Sequence, residues 1–227
     1  MGEQSENYYR EKLNASKLFA VYETNIPRVK QYLAAEIDHV KNLLTGTETV
    51  LELGAGYGRI VKELAPHCQH IVGIDISEAN VELARAYLQG ISNADIEVMD
   101  AHHLACKRQF DLVLCLQNGL SAMRMDGAAL ARLMAVVKPG GKAVFSSYSA
   151  NFWEVRLAWF YEQADKGLLG PIDAEKTRDG AIVCEDGFRA TTQSVADFQA
   201  IGERLGYPYK TEEVDRSSLF FIIDKPV

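Results

Sequence analysis

The sequence predicts an α/β fold, a parallel sheet assembled from strand-helix-strand units, and three observations predict it. From about Val50 to Ser149, short apolar runs alternate with amphipathic stretches at close spacing, as crossover connections between parallel strands require. The apolar runs are rich in Val, Ile and Leu without polar alternation, which is expected of strands covered by helices on both faces. The chain has 227 residues, 48% of them hydrophobic and 24% charged. That is enough to bury one core without a disulfide or metal staple.

Each element can be justified in turn. Pro27 to Leu44 places Val29, Leu33, Ile37, Val40 and Leu44 on one stripe and ends at Gly46, so it reads as an amphipathic helix ahead of the first strand. TVLELGAG is that strand and its turn, RIVKELA a helix, and HIVGID the second strand. Ser77 can cap the next helix, SEANVELARAYL, which leads to a third strand, DIEVMD, and a fourth, FDLVLCLQ. Asp126 can cap GAALARLMAVV, and Pro139-Gly140-Gly141 turns the chain into GKAVFSSYS. Residues 150 to 192 then interrupt the alternation. NFWEVRLAWFYEQAD reads as a helix with aromatics on more than one face, and AIVCEDGFRATT as two short strands around an Asp186-Gly187 turn. Ser194 and Asp197 form a capping box for VADFQAIGERL, Gly206 ends it, and YKTEEV and SLFFIID are the closing strands.

Charge and cysteine usage exclude several function classes. Against 24 Lys+Arg stand 31 Asp+Glu, a net charge of -7, which argues against a sequence-independent grip on phosphate backbones and hence against a nucleic-acid partner. Cys68, Cys106, Cys115 and Cys184 form no Cys-x-x-Cys pair, and the N-terminus MGEQSENYYREK has no signal-peptide hydrophobic stretch. A soluble cytoplasmic protein with no membrane anchor is expected. His102-His103 followed by Cys106 lacks a second ligand cluster, so a solvated loop is expected there and no metal site.

The chemistry is carried by Gly54-Ala55-Gly56-Tyr57-Gly58, where the first strand runs straight into a helix. Glycines at alternate positions let the backbone turn sharply and let a ligand approach without meeting a Cβ, in the crevice where open α/β sheets bind ligands. The second strand ends at Asp75, 21 residues past Gly54. A carboxylate there can accept hydrogen bonds from vicinal ribose hydroxyls, so the two features together specify a ribose-bearing nucleoside. The dinucleotide fingerprint G-x-G-x-x-G/A needs a small residue at position 59, where this chain has Arg59.

The motif ELGAGYG instead resembles the first motif of the class I S-adenosylmethionine-dependent methyltransferases, and the resemblance extends from Val50 to Ser149 through five segments in the family's order. It implies a Rossmann-like, seven-stranded, mostly parallel sheet with helices on both faces and the last strand antiparallel. It also implies a single domain: a helical cap (1–46), a cofactor-binding core (47–149), a lid insertion (150–192), and a C-terminal helix and strands (193–227). The implied cofactor is S-adenosyl-L-methionine. Glu52 holds the acidic position before the glycines, Gly54, Gly56 and Gly58 shape the methionine end, and Asp75 and Ile76 meet the ribose and adenine. Asp100 and Ala101 stand at the adenine edge, and Gln117 and Asn118 near the cofactor's amino group or the reacting methyl.

Aromatic residues Tyr8, Tyr9 and Tyr22 before the core, and Phe152, Trp153, Trp159, Phe160 and Tyr161 after the fifth strand, fall in segments that arch over the site in the resembling fold. They suit a lid that excludes water, with Tyr22 and Gln117 as candidates for contact with the reacting groups. The family's D/N-P-P-Y amine motif is replaced by Gln117-Asn118-Gly119, and no base can be named. The absence of a basic groove points to a small acceptor, uncharged or cationic. Two other classes share part of the pattern: a non-catalytic S-adenosyl-ligand module and a nicotinamide-dependent oxidoreductase, the latter disfavoured by Arg59.

Overall fold

The computed structural model describes residues 16–227; Tyr8 and Tyr9 lie outside them. Two helices, α1 (Ser16–Tyr22) and α2 (Pro27–Lys41), precede a central sheet. Its strands are β1 (Thr49–Leu53), β2 (His70–Asp75), β3 (Ala94–Val98), β4 (Phe110–Cys115) and β5 (Val137–Tyr148). The short hairpin strands β6 (Ile182–Val183) and β7 (Arg189–Ala190) stand apart from it. The closing strands β8 (Tyr209–Val214) and β9 (Ser218–Asp224) complete the sheet. The crossovers are α3 (Arg59–Leu64), α4 (Glu78–Tyr87) and, after the one-turn α5 (Gly119–Ala122), α6 (Gly127–Val136). Helix α7 (Trp153–Asp165) follows β5, and α8 (Val195–Leu205) precedes β8.

The seven strands run in the order β3-β2-β1-β4-β5-β9-β8. β1 to β5 are mutually parallel, and β9 is antiparallel to both β5 and β8. The chain's last strand is therefore interior, and β8 closes the edge. The strand order reverses between β1 and β4, so a crevice opens at their carboxyl ends, the place where such sheets take ligands.

Period-two alternation divides the strands between two cores. Leu51, Leu53, Phe145, Phe221 and Ile223 pack on one face against Leu130 and Leu133 of α6 and Phe198 of α8. Val50, Val144, Phe220 and Ile222 pack on the other against Ile37 and Val40 of α2 and Val61 of α3. Gly73 permits the close approach of α3, because a Cβ there would lie 2.7 Å from Ala55 and 2.8 Å from Val61.

The expected caps form. Ser77, Asp126 and Ser194 each accept a hydrogen bond from the amide three residues on, Asp197 completes the capping box, and Gly206 ends α8 at a φ of 72°. Three boundaries differ from expectation. The strand expected after a Pro139-Gly140-Gly141 turn already begins at Val137, so those three residues lie within β5, where its pairing with β4 is irregular. The helix from Pro27 stops at Lys41, with the Asn42 amide closing on the Asp38 carbonyl, so Leu44 belongs to the turn. The helix expected from Asn151 starts as a 3-10 turn capped by Ser149 and becomes α-helical at Trp153.

A cap covers the carboxyl end of the sheet. Phe160 of α7 packs with Phe188, Ile182 and Cys184 of the hairpin segment and with Val21 of α1. Trp159 packs with Tyr32, Leu33 and Phe152. Glu162 ties the parts together by accepting hydrogen bonds from the Thr24 hydroxyl and, at 2.9 Å, from the Asn25 amide. The Trp159 indole donates to the Val21 carbonyl at 3.1 Å. No helix among the described residues is long and apolar enough to cross a membrane.

Candidate active site

Beneath this cap, at the carboxyl ends of β1, β2 and β4, lies a cavity of about 580 Å³, within the usual range for small-molecule sites. Its floor is the glycine loop. Gly54 and Gly56 have φ of 70° and 55°, values that strain any residue with a Cβ. A Cβ on Gly56 would also lie 2.6 Å from Leu18 of α1, which sits directly over the loop. The Gly56 amide donates to Asp75 Oδ2 at 2.9 Å, and the Ser77 amide and Asn80 Nδ2 donate to Oδ1 at 2.8 and 3.1 Å. Asp75 thus fixes the loop and offers its remaining lone pair on Oδ2 to the cavity.

At the end of β4 the chain makes an unusual turn. Gln117 and Asn118 both adopt left-handed conformations, with φ of 53° and 63°. Strain of this kind persists only where the surroundings over-determine it. Here the Gln117 amide donates to Ser146 Oγ at 2.7 Å and the Asn118 amide to the Ser146 carbonyl at 3.0 Å. Asn118 Nδ2 donates to the Thr191 carbonyl at 2.7 Å, and its Oδ1 accepts from Ser147 Oγ at 2.8 Å. The turn places Gln117 in the cavity wall and uses Asn118 as a strut to the segment after the hairpin.

Three buried polar atoms in the cavity wall have no hydrogen-bond partner among the described residues: Glu52 Oε2, Arg59 Nη2 and Gln117 Nε2. Unpaired buried polar groups are costly, so each asks for an explanation. Burial pushes the Glu52 carboxyl up to about 8, an effect that the Arg59 charge opposes and the Asp75 charge reinforces. The Arg59 guanidinium stands over the Tyr22 ring at 4.7 Å, and burial raises the Tyr22 phenol as well.

Of the residues singled out from the sequence, Tyr22, Glu52, Gly54, Ala55, Gly56, Asp75, Ile76, Asp100, Ala101 and Gln117 line this one cavity. Ile76 is 48% exposed there, an apolar face turned to open space. Of the lid aromatics, Trp159 and Phe160 line the cavity, whereas Phe152, Trp153 and Tyr161 do not. Two of the cofactor candidates also fall outside its lining. Gly58 caps α3, where a Cβ would crowd Leu88 at 3.1 Å, and Asn118 is the strut described above. The loop expected to be merely solvated also contributes: His102 Nε2 bonds the Met123 carbonyl at 2.7 Å, and both His102 and His103 line the cavity. Asp100 pairs with His103 at 2.8 Å. Burial raises its carboxyl, but the His103 and His102 hydrogen bonds outweigh that and hold it below the ordinary range. Sequence reasoning used Arg59 only to exclude a dinucleotide and did not single out Gln163 at all; both are wall residues.

Residues 50–141, which span β1 to the start of β5, match the methyltransferase domain family. Over that stretch, less than half of the chain, the sequence is similar to the S-adenosylmethionine-dependent methyltransferases. The ubiquinone biosynthesis O-methyltransferase of Aromatoleum aromaticum is 30% identical over 106 residues, 45% of this chain and 45% of that protein. The chain thus spans less than half the length of the curated relatives it matches. Among solved structures, a DhpI complex with S-adenosylhomocysteine superposes with a TM-score of 0.67 at 18% identity, covering 98% of this chain and 95% of that one. Magnesium protoporphyrin IX methyltransferase from Synechocystis PCC 6803, with S-adenosylhomocysteine bound, gives 0.66 at 17% identity, covering 97% and 99%. At such identities the likeness is one of fold, and it extends over the cap as well as the family's core.

Proposed function

We propose that the protein transfers the methyl group of S-adenosyl-L-methionine to a small-molecule acceptor. The observation that carries this reading is the meeting, in one cavity, of three unpartnered polar groups with the Asp75-anchored glycine loop. An α-amino acid end presents a carboxylate and an ammonium. Arg59 Nη2 suits the first, Glu52 Oε2 the second, and Gln117 Nε2 supplies a further donor. Asp75 would accept from the ribose hydroxyls. Ile76 offers its apolar face to the adenine, and Asp100 with Ala101 borders the adenine edge.

When bound, the cofactor would supply an activated methyl group on a sulfonium for direct transfer to a lone pair of the acceptor. What this chain contributes is alignment and dryness. Leu18, Tyr22, Trp159 and Phe160 form an apolar roof over the glycine loop, which excludes water and fixes the two partners in line. A proton carried by the acceptor atom leaves to water after transfer. Helices α1 and α2 together with residues 150–192 act as a lid that opens to admit both molecules. Four free cysteines, Cys68, Cys115 and Cys184 of them buried, suit a reducing cytoplasm.

Calorimetry with S-adenosylhomocysteine tests the reading. The wild type should bind, and Asp75→Ala should lose about 1.5 to 3 kcal/mol, because a charge-assisted contact goes and the Gly56 amide loses its anchor. Asp75→Asn keeps an acceptor and should lose less. Unchanged affinity in a folded Asp75→Ala protein would remove the ribose assignment, and tight NADH binding with none of S-adenosylhomocysteine would overturn the choice of cofactor.

A further inference from the structure

The two left-handed residues after β4 are adjacent, so the peptide plane between Gln117 and Asn118 is shared and neither can relax alone. Asn tolerates this region through its short amide, whereas Gln does so at more strain. The Gln117 side chain lines the cavity, and its Nε2 is buried without a partner among the described residues. What that amide can reach is therefore decided by whatever holds the turn in its strained form.

Asn118 is well placed to hold it. The residue is only 6% exposed, and both ends of its side chain are engaged by protein. Besides the bonds to the Thr191 carbonyl and from Ser147 Oγ, a second layer follows. The Gln193 amide donates to that same Ser147 Oγ at 2.9 Å, and Gln193 Nε2 donates to Ser121 Oγ of α5 at 3.0 Å. Residues 191 and 193 are thus fastened to the turn, to β5 and to α5 at once. They directly follow β7, and Phe188 just before β7 lines the cavity.

Resting on the methyltransferase reading, we infer that Asn118 is a positioning residue for the cofactor's amino-acid end: braced against the segment after the hairpin, it keeps Gln117 in the left-handed conformation that sets its amide in the cavity wall. Asn118 touches no ligand itself. Without the brace, residue 118 is free to leave the left-handed region, and the Gln117 side chain loses its fixed direction.

Two ligands separate this role from general damage. S-adenosylhomocysteine carries the amino-acid end, and methylthioadenosine shares the nucleoside and thioether but lacks it. Calorimetry on the full chain measures both. Asn118→Gly accepts the left-handed backbone and removes the brace. It should weaken S-adenosylhomocysteine roughly tenfold and methylthioadenosine less than about twofold, as the loss of one hydrogen bond at the amino-acid end requires. Ser147→Ala deletes the hydroxyl that joins Asn118 to the Gln193 amide. It should show the same selectivity, and it decides the matter if the glycine variant does not fold. Gln117→Ala should also weaken S-adenosylhomocysteine selectively, and adding Asn118→Gly to it should cost no further affinity, because the group being positioned is gone. Equal losses of both ligands in the folded variants, unchanged S-adenosylhomocysteine affinity, or losses that add in the double variant would each overturn the inference. A wild type that binds neither ligand would instead sink the proposed cofactor, and this inference with it; a wild type that binds both, with no selective loss in the variants, would sink this inference alone.

Discussion

Glu36 shows how much one residue can alter the behaviour of the fold. It sits on α2, between Leu33 and Val40 of the apolar stripe, and is fully buried against β5 and β9. Ser218 Oγ donates to its Oε1 at 2.9 Å, whereas Oε2 has no partner among the described residues. Burial drives its carboxyl up to about 7, against the opposing pull of hydrogen bonds from Ser146 and Ser218. The linkage sign follows from that direction. Between the ordinary value of 4.5 and about 7 the folded chain holds a proton on Glu36 that the unfolded chain has released, so this residue's contribution to stability falls as pH rises through that window and is flat above it. Glu36→Gln keeps an oxygen for Ser218 and removes the charge. Its stability relative to wild type should therefore grow from pH 5 to pH 8, by on the order of 3 kcal/mol for a shift of this size. Urea denaturation of both proteins at several pH values would check it, and a difference independent of pH would mean that Glu36 ionises normally.

At the scale of elements, the clasp between α7 and the segment joining α1 to α2 sets how the cap opens. Glu162 takes hydrogen bonds from Thr24 and Asn25, and Lys166 lies 3.4 Å from it. Burial raises the Glu162 carboxyl, but these partners outweigh it and hold the carboxyl below its usual range, so the clasp is intact at neutral pH and is lost only in acid. Glu162→Ala should speed amide exchange in α1 and the first turn of α2 roughly tenfold, the effect of losing about 1 to 2 kcal/mol of local hydrogen bonding. Protection of β1, β4 and β5 should stay as it is. Faster exchange throughout the sheet would instead make Glu162 a determinant of global stability. Elements of this kind were only partly legible in the sequence. The strands, the Ser77, Asp126 and Ser194 caps and the Asp186-Gly187 turn follow from local chemistry and form where expected. Contacts between residues more than a hundred positions apart, such as Thr24 with Glu162, leave no local pattern. The family resemblance sets Asn118 beside Gln117 at the cofactor, yet two consecutive left-handed residues send one side chain to the cavity and the other to Thr191. Arg59 was legible as a departure from the dinucleotide pattern, but its place over Tyr22 depends on α1 folding back across the loop.

At the scale of the whole molecule, size and charge bear on what the site can receive. The cavity lies under α1 and α7 and is lined largely by apolar and aromatic side chains, so an acceptor must be enveloped to react, which suits a small molecule. A macromolecular acceptor would need a broad recognition surface beside the opening, basic for a nucleic acid. The net charge is -7, and the acidic residues Glu52, Asp75 and Asp100 line the cavity. Electrostatic steering therefore works against a polyanion. Incubation of the protein with methyl-labelled S-adenosylmethionine and fractionated cell extract should place the label in the low-molecular-weight fraction. That label should survive treatment of the mixture with nuclease or protease. Label found only in the macromolecular fraction, and released by nuclease or protease, would show that the acceptor reaches the methyl group through an opening wider than this cap allows.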